Sequence, residues 1–572
     1  MSFSQLIKTY KGLTIVTILL GLLTNGLSLY VPKLASQAID AGIYAIWSPT
    51  LTILVYIACS VLCAAGLQMY VSTYLSEKVA LDLRHKLIQK ISKQSFTYID
   101  TSTPGKLQTI CTSDVEAVKT VLSQGFVTLF GAVLTLTGSI IFLLYINTRL
   151  AFYTISIIPL LVLSFLMIFG KVAKLFGQSQ VNLQNINARI NETITGSSLI
   201  RVLYGISSEI EKFMVVNTTS RNVGFGIVRN FAALIPVITL LANMATLIII
   251  WFGGNQVISH TMTLGDFSAF LSYSAMFIWP LFVLSFVGMS ISQGFVSLRR
   301  ISEVLDAPIQ DETGVYDGPI QGDITLEHVS LTYTTTDGSE KTILKDVSCT
   351  IKAHTKNAIV GPTAAGKSQL FYLMSGLVQP TEGRVLIDGR PMSEYKMSSL
   401  LSHIGLVFQD SILFNTTLRE NIAFTDAVLK NDQAIEKALQ TAELKTLVQE
   451  LPEGLETIVS ERGTSLSGGQ KQRLMLARAL SIDPQILLLD DFTARVDQHT
   501  EKQILQNISV SYPDVTLVSI TQKVEPIRNY DQIIVLMEGE IVGVGTHDEL
   551  MKHSFEYKQI CESQLSTDTV TQ

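Results

Sequence analysis

The sequence predicts two fold classes in one chain: a membrane α-helical domain of six transmembrane helices with long cytoplasmic extensions, then an α/β domain of the P-loop, nucleotide-binding kind. Three observations predict this. Six long apolar stretches precede residue 295; short apolar strands alternate with helical segments after 322; and one of those strands runs into a loop of the form G-x-x-x-x-G-K-S. Apolar residues make up 47% of the 572 and charged residues only 16%, which is too apolar for a purely soluble protein and too long for one domain.

Crossing the hydrocarbon layer takes about 20 mostly apolar residues. The stretches 13–32, 51–75, 124–147, 149–170, 232–254 and 267–290 meet that need, and an even number puts both termini on one side. Lys and Arg choose the side, because short loops rich in them stay cytoplasmic. The connection between the second and third stretches carries Lys78, Arg84, Lys86, Lys90, Lys93, Lys106 and Lys119; that between the fourth and fifth carries Lys171, Lys174, Arg189, Arg201, Lys212, Arg221 and Arg229. The other three loops hold Lys33, Arg149 and none, so they face outward and the termini are cytoplasmic. Each basic connection runs for about 50 to 60 residues with few breakers, too long for an ordinary loop. Both read as membrane helices prolonged into the cytoplasm, with a turn at Pro104-Gly105 near the tip of the first. No small-residue cleavage site follows the first apolar stretch, so it reads as a retained span. Residues 2–12 suit an amphipathic helix in the interface.

The membrane domain is read as 1–306, a linker with Pro308, Gly314, Gly318 and Pro319 as 307–321, the α/β domain as 322–562, and a polar, disordered tail as 563–572. The net charge of -6 is spread without a basic block, which argues against nucleic acid as a partner. Five scattered cysteines, with no CxxC pair or nearby His, read as reduced packing residues.

The chemistry is concentrated in the second domain. Gly361-Pro-Thr363-Ala364-Ala365-Gly366-Lys367-Ser368 follows the apolar strand Asn357 to Val360 and opens a helical run at Gln369, the context a phosphate loop requires. Glycines let backbone N–H groups wrap phosphate oxygens at a helix N-terminus, Lys367 adds a point charge, and the Ser368 hydroxyl suits Mg²⁺. A second apolar run, Ile486 to Leu489, ends in Asp490 and Asp491, as a buried parallel strand delivering a carboxylate to the same metal would. Between them lies Leu466-Ser467-Gly468-Gly469-Gln470.

The segment from Ser460 to Arg473 closely resembles the signature region of ABC transporters and stands between phosphate loop and strand-end Asp as it does in that family. The resemblance covers nearly the whole chain: it is similar to a half-transporter of the exporter kind. It implies ATP and Mg²⁺ as cofactors, Tyr333 stacking on adenine, Gln369 beside the phosphates, Gln409 with Ser368 and Asp490 at the metal, and Asp497 closing the following loop. It also implies that Ser467, Gly468, Gly469 and Gln470 face the nucleotide of an opposing domain. The segments Gly545 to Leu550 and Thr263 to Asp266, with Phe270 and Pro280, match further family positions.

Three departures from the family pattern cluster around this nucleotide site. Asp491 stands where the resemblance places the hydrolytic Glu, drawing the carboxylate back by about one C–C bond, ~1.5 Å; a misplacement near 1 Å costs on the order of a hundredfold in rate. Gln522 stands at the switch His position and does not titrate near neutral pH. Ala494-Arg495-Val496-Asp497 replaces the usual Ser-Ala-Leu-Asp. The combination is similar to the degenerate-site subunit of bacterial heterodimeric multidrug exporters. It implies a partner half-transporter carrying the catalytic Glu and the switch His, in the bacterial cytoplasmic membrane. Spans five and six hold Phe231, Trp251, Phe252, Phe277 and Trp279 and essentially no charge, which suits a small amphipathic or apolar substrate in the lipid bilayer, although packing explains aromatics equally well. A homodimeric peptide or lipid exporter with Asp491 as a slow base, and an ATP-gated channel or regulator, are the alternatives.

Overall fold

The computed structural model describes residues 8–41, 49–102, 104–309, 314–334, 339–459, 466–493 and 495–570. Residues 1–7, where most of the interfacial helix was expected, and 460–465 of the signature region lie outside the described residues. The chain forms two compact units, one of residues 1–92 and 103–308, the other of Lys93–Ser102 with Ile309–Gln572.

In the first unit, five helices among the described residues are long and apolar enough to cross a membrane: Lys11–Asp40, Thr52–Ser92, Pro104–Ile146, Thr148–Thr195 and Ile206–Ile258. At 1.5 Å per residue the 43 residues of Pro104–Ile146 reach roughly 65 Å, about twice the ~30 Å hydrocarbon thickness. The long basic connections are thus helical prolongations of the spans. Beyond the apolar stretches these prolongations have their own core, where Leu75, Val79, Leu83 and Leu87 pack with Val115, Val118, Ile301 and Val304. Asp114, buried there, accepts from Ser297 Oγ at 2.8 Å and from Arg300 at 2.7 Å.

Asn147 separates the third and fourth spans. Its extended backbone ends one helix, and its side chain accepts from the Leu150 N–H to start the next. The sixth expected span falls on two helices, Leu264–Ala275 and Ile278–Asp306, which break at Met276 and Phe277. Pro280 stands in the first turn of the second, where its missing N–H costs no intrahelical bond. Of the aromatics considered for substrate, Phe277 is 3% exposed and belongs to an apolar core, and Phe231 packs against another. Phe277 is thus a packing residue and Phe231 a half-buried one, leaving Trp251, Phe252 and Trp279 exposed.

The second unit carries two sheets. An antiparallel one has the order β2-β1-β4-β5, with β1 at Ile324–Thr334, β2 at Glu340–Ile351, β4 at Glu382–Ile387 and β5 at Arg390–Pro391. The central sheet has the order β10-β9-β3-β8-β7-β6, with β3 at Lys356–Val360, β6 at Ile404–Val407, β7 at Ile486–Asp490, β8 at Thr516–Ile520, β9 at Gln532–Met537 and β10 at Glu540–Gly545. Strands β6, β7, β8, β3 and β9 run parallel, and β7 and β8 are buried at every position, the pattern of a sheet covered on both faces.

Three differences from expectation matter here. The short helix Phe96–Thr101, capped by Ser95, belongs to the second unit, and its Phe96 ring lies 4.8 Å from that of Tyr372. Pro104, read as part of a turn, instead opens the helix Pro104–Thr109, the position that Pro tolerates best. At the C-terminus the helix Phe555–Val570 runs through most of the tail expected to be disordered. Polarity alone suggested disorder there, but Gln564 on this helix is tied to the main chain of Gln522 and Val524.

Candidate nucleotide site

Parallel strands deliver their C-terminal ends to one edge of the sheet, where ligands of α/β folds collect. Strand β3 leads into the phosphate loop, β7 ends at Asp490, and β8 leads to Thr521 and Gln522; β7 and β8 are paired, with Asp490 beside Ile520. The three segments named by sequence motifs therefore meet because β3, β8 and β7 are neighbours.

The loop's glycines are required by close approach. A Cβ on Gly361 would lie 2.0 Å from the Leu536 carbonyl oxygen, and Gly366 has φ +99° with a Cβ position 2.8 Å from Leu344. Gly366 immediately precedes the helix Lys367–Met374, so its left-handed backbone turns the loop into the helix start. Lys367 is buried, and its Nζ donates to the carbonyls of Gly361 and Pro362, each at 2.8 Å. Burial pushes its ammonium below the ordinary value, and the carboxylates of Asp490 and Asp491 oppose that shift.

The pocket has a volume of about 650 Å³ and is lined by Tyr333, Thr363, Ala364, Gly366, Lys367, Ser368, Gln369, Gln409, Asp490, Asp491 and Gln522. Gly361 and Ala365 are buried, supporting the loop from beneath; the Ala365 carbonyl accepts from Gly539 N at 3.1 Å. The Tyr333 hydroxyl donates to Gln369 Oε1 at 2.7 Å, which fixes the ring against the phosphate-loop helix.

Burial raises the Asp490 carboxyl above the ordinary range, while the Ser368 hydroxyl, donating to it, and Lys367 pull it down. Ser368, Gln409 and Asp490 offer oxygen donors on one wall, the type Mg²⁺ takes in small number beside phosphate and water. Asp491 has φ +45°, and its N–H donates to the Ile520 carbonyl at 2.9 Å. Its carboxyl is also raised by burial, opposed first by Lys523 and then by Lys367.

Lys523 and Glu501 were not singled out from the sequence. Glu501 is 3% exposed, faces Lys523 Nζ at 3.5 Å, and is raised by burial against the opposing Thr493 hydroxyl and Lys523. The signal was weak: a Lys directly after Gln522 and a Glu four residues after Asp497. Phe96 and Thr97 also line the pocket, although they lie far from it in sequence.

Ser467 to Gln470 do not line this pocket. They form the start of the helix Gly468–Leu480, with a capping box: the Ser467 side chain accepts from Gln470 N at 3.3 Å, and Gln470 Oε1 accepts from Ser467 N at 2.8 Å. Gly468 and Gly469, as first helical positions, present N–H groups outward. A Cβ on Gly468 would lie 3.0 Å from Arg495 Cδ, and one on Gly469 2.7 Å from the Arg495 carbonyl oxygen. The departing residue Arg495 thus rests on the chain's own signature turn.

A helical membrane unit joined to an α/β unit with this loop and strand-end carboxylate defines an ATP-driven membrane transporter subunit. Residues 14–281 match the family model described as ABC transporter transmembrane region, and 344–494 match the one described as ABC transporter; the chain belongs to the ABC transporters and is a half-transporter of the exporter type. It is 32% identical over 98% of its length, and 98% of the relative's, to an uncharacterised ABC transporter ATP-binding protein of Bacillus subtilis, YfiB. It is 29% identical to an ATP-dependent lipid A-core flippase of Syntrophus aciditrophicus, covering 96% of this chain and 91% of that one. A putative multidrug export ATP-binding/permease protein of Staphylococcus aureus is also 29% identical, with 98% of both chains covered. The fold is that of a bacterial Atm1-family ABC exporter solved with ATP bound, at a TM-score of 0.77 and 24% identity, covering 97% of this chain and 99% of that one.

Proposed function

We propose that the chain is one subunit of a heterodimeric exporter in the bacterial cytoplasmic membrane, its termini cytoplasmic, which moves small amphipathic or apolar compounds and whose own site binds MgATP but hydrolyses it slowly. The observation that carries this reading is the pairing of a short acid, Asp491, with an amide, Gln522, in a pocket whose other walls keep the family pattern. Tyr333 stacks on adenine, loop N–H groups and Lys367 hold the phosphates, and Ser368, Gln409 and Asp490 hold Mg²⁺, which neutralises phosphate charge when bound. What the pocket lacks is a base long enough to reach an attacking water.

Two exposed apolar patches favour a dimer. Leu199, Val202, Leu203 and Tyr204 are exposed at the tip between the fourth and fifth spans, and Ile412, Phe414, Phe424 and Ile458 on the nucleotide unit. Such patches mark interaction surfaces. In the dimer, Ser467 to Gly469 close on the partner's nucleotide, and the partner supplies the Glu and the switch His for hydrolysis there. ATP binding draws the nucleotide domains together, and the prolonged helices carry that closure to the spans. The names of the multidrug export and flippase relatives support an amphipathic cargo.

Asp491→Glu combined with Gln522→His is expected to raise hydrolysis at this chain's site about tenfold or more. Single-turnover release of phosphate from the purified complex, with the partner's acid removed, reads that site alone. No gain over the wild-type chain would contradict the reading.

A further inference from the structure

The segment Thr521–Val524 lies between two open spaces. On one side is the phosphate pocket, which Thr521 and Gln522 line. On the other is a cavity of about 900 Å³ whose walls include Gln522, Lys523, Gly361, Pro362 and Gln564. Thr521 and Val524 are buried at its ends, Val524 in the apolar core, while Gln522 and Lys523 between them are exposed, so the shape of that middle stretch depends on its hydrogen bonds.

One side chain grips this main chain at two points. Gln564 Nε2 donates to the Gln522 carbonyl, and Gln564 Oε1 accepts from the Val524 N–H at 2.9 Å. A planar carboxamide carries both a donor and an acceptor, so it pairs with the C=O and N–H on either side of Lys523 as a neighbouring strand would. The other ties differ in kind: Lys523 N donates to Thr521 Oγ1 at 3.0 Å, and Lys523 Nζ reaches the Thr493 carbonyl at 3.3 Å and Glu501 at 3.5 Å. Those hold the ends of Lys523, and Gln564 holds the peptide groups around it.

We propose that Gln564 is a positioning residue for the phosphate-sensing loop: the C-terminal helix braces the main chain on both sides of Lys523 so that Gln522 meets the third phosphate of the bound nucleotide. This rests on the reading of Gln522 as a contact to that phosphate. The brace then favours a nucleoside triphosphate and leaves a diphosphate unaffected, because the diphosphate does not reach Gln522.

The test compares the full chain in lipid nanodiscs with Gln564→Ala and with Gln564→Met, which keeps the side chain's length and loses both hydrogen bonds. Hydrogen exchange in the peptide Thr521–Ile527 is expected to rise about tenfold in both variants. Preference for MgAMP-PNP over MgADP falls about fivefold, with MgADP affinity unchanged. Wild-type exchange in both variants, wild-type behaviour of Gln564→Met alone, or equal loss of both nucleotides overturns the proposal. Gln522→Ala separates the two readings. If it keeps the wild-type preference, Gln522 does not contact the third phosphate and the positioning role falls, while the exchange rates still report the hydrogen bonds themselves.

Discussion

Replacing Lys367 by alanine is expected to weaken MgATP binding at this chain's own site by about a hundredfold, equivalent to roughly 3 kcal/mol for lost charge-assisted bonds to phosphate. The loss is large because the position is 9% exposed and no water can take over the role at full strength. The alanine also strands the Gly361 and Pro362 carbonyls that now accept from Nζ. Equilibrium binding of a fluorescent ATP analogue to the purified chain measures it. An affinity within threefold of wild type would remove the phosphate loop from the account.

The second large effect is expected at the signature. Gly469→Ala places a Cβ 2.7 Å from the Arg495 carbonyl oxygen, a main-chain atom that cannot rotate away, so the turn must shift. A shift near 1 Å costs on the order of a hundredfold where geometry controls the rate. In the proposed dimer this loss falls on turnover at the partner's nucleotide, while MgATP binding at this chain's phosphate loop stays at the wild-type level. Steady-state hydrolysis by the complex and nucleotide binding by this chain, measured on the same preparation, separate the two. Equal loss at both would show that the substitution unfolds the domain.

How much of the fold was legible depended on how local its cause was. The long spans announced themselves through composition, and the phosphate loop through contiguous residues on a strand–loop–helix path. The break at Met276 and Phe277 was not legible, because the apolar run passes through it and only Pro280 hints at a new helix start. The helical course of 563–570 was missed because those residues are polar and lack an apolar face; the helix is held by Tyr557, Ile560 and Cys561 in the core and by Gln564 on a main chain some 40 residues earlier. Glu501 and Lys523 were missed for the same reason: their relation to Asp491 exists only once the ends of β7 and β8 lie side by side. Phe231 and Phe277 carried the reverse lesson. Aromatic identity could not separate a core residue from a substrate contact; burial did so for Phe277, and packing against a core for half-buried Phe231.

The central claim is that ATP persists at this chain's phosphate loop while turnover occurs across the interface. The direct measurement takes the tagged chain from its native membranes with whatever half-transporter accompanies it. The complex is loaded with Mg²⁺ and 8-azido-ATP labelled at the γ-phosphate, left through many turnovers, and photo-crosslinked. The account predicts a second, different half-transporter in equal amount, with the γ-label retained on this chain and lost from the other. Loss of label from this chain at the same rate as from its companion, or isolation of the chain as a pair of identical subunits, would contradict it.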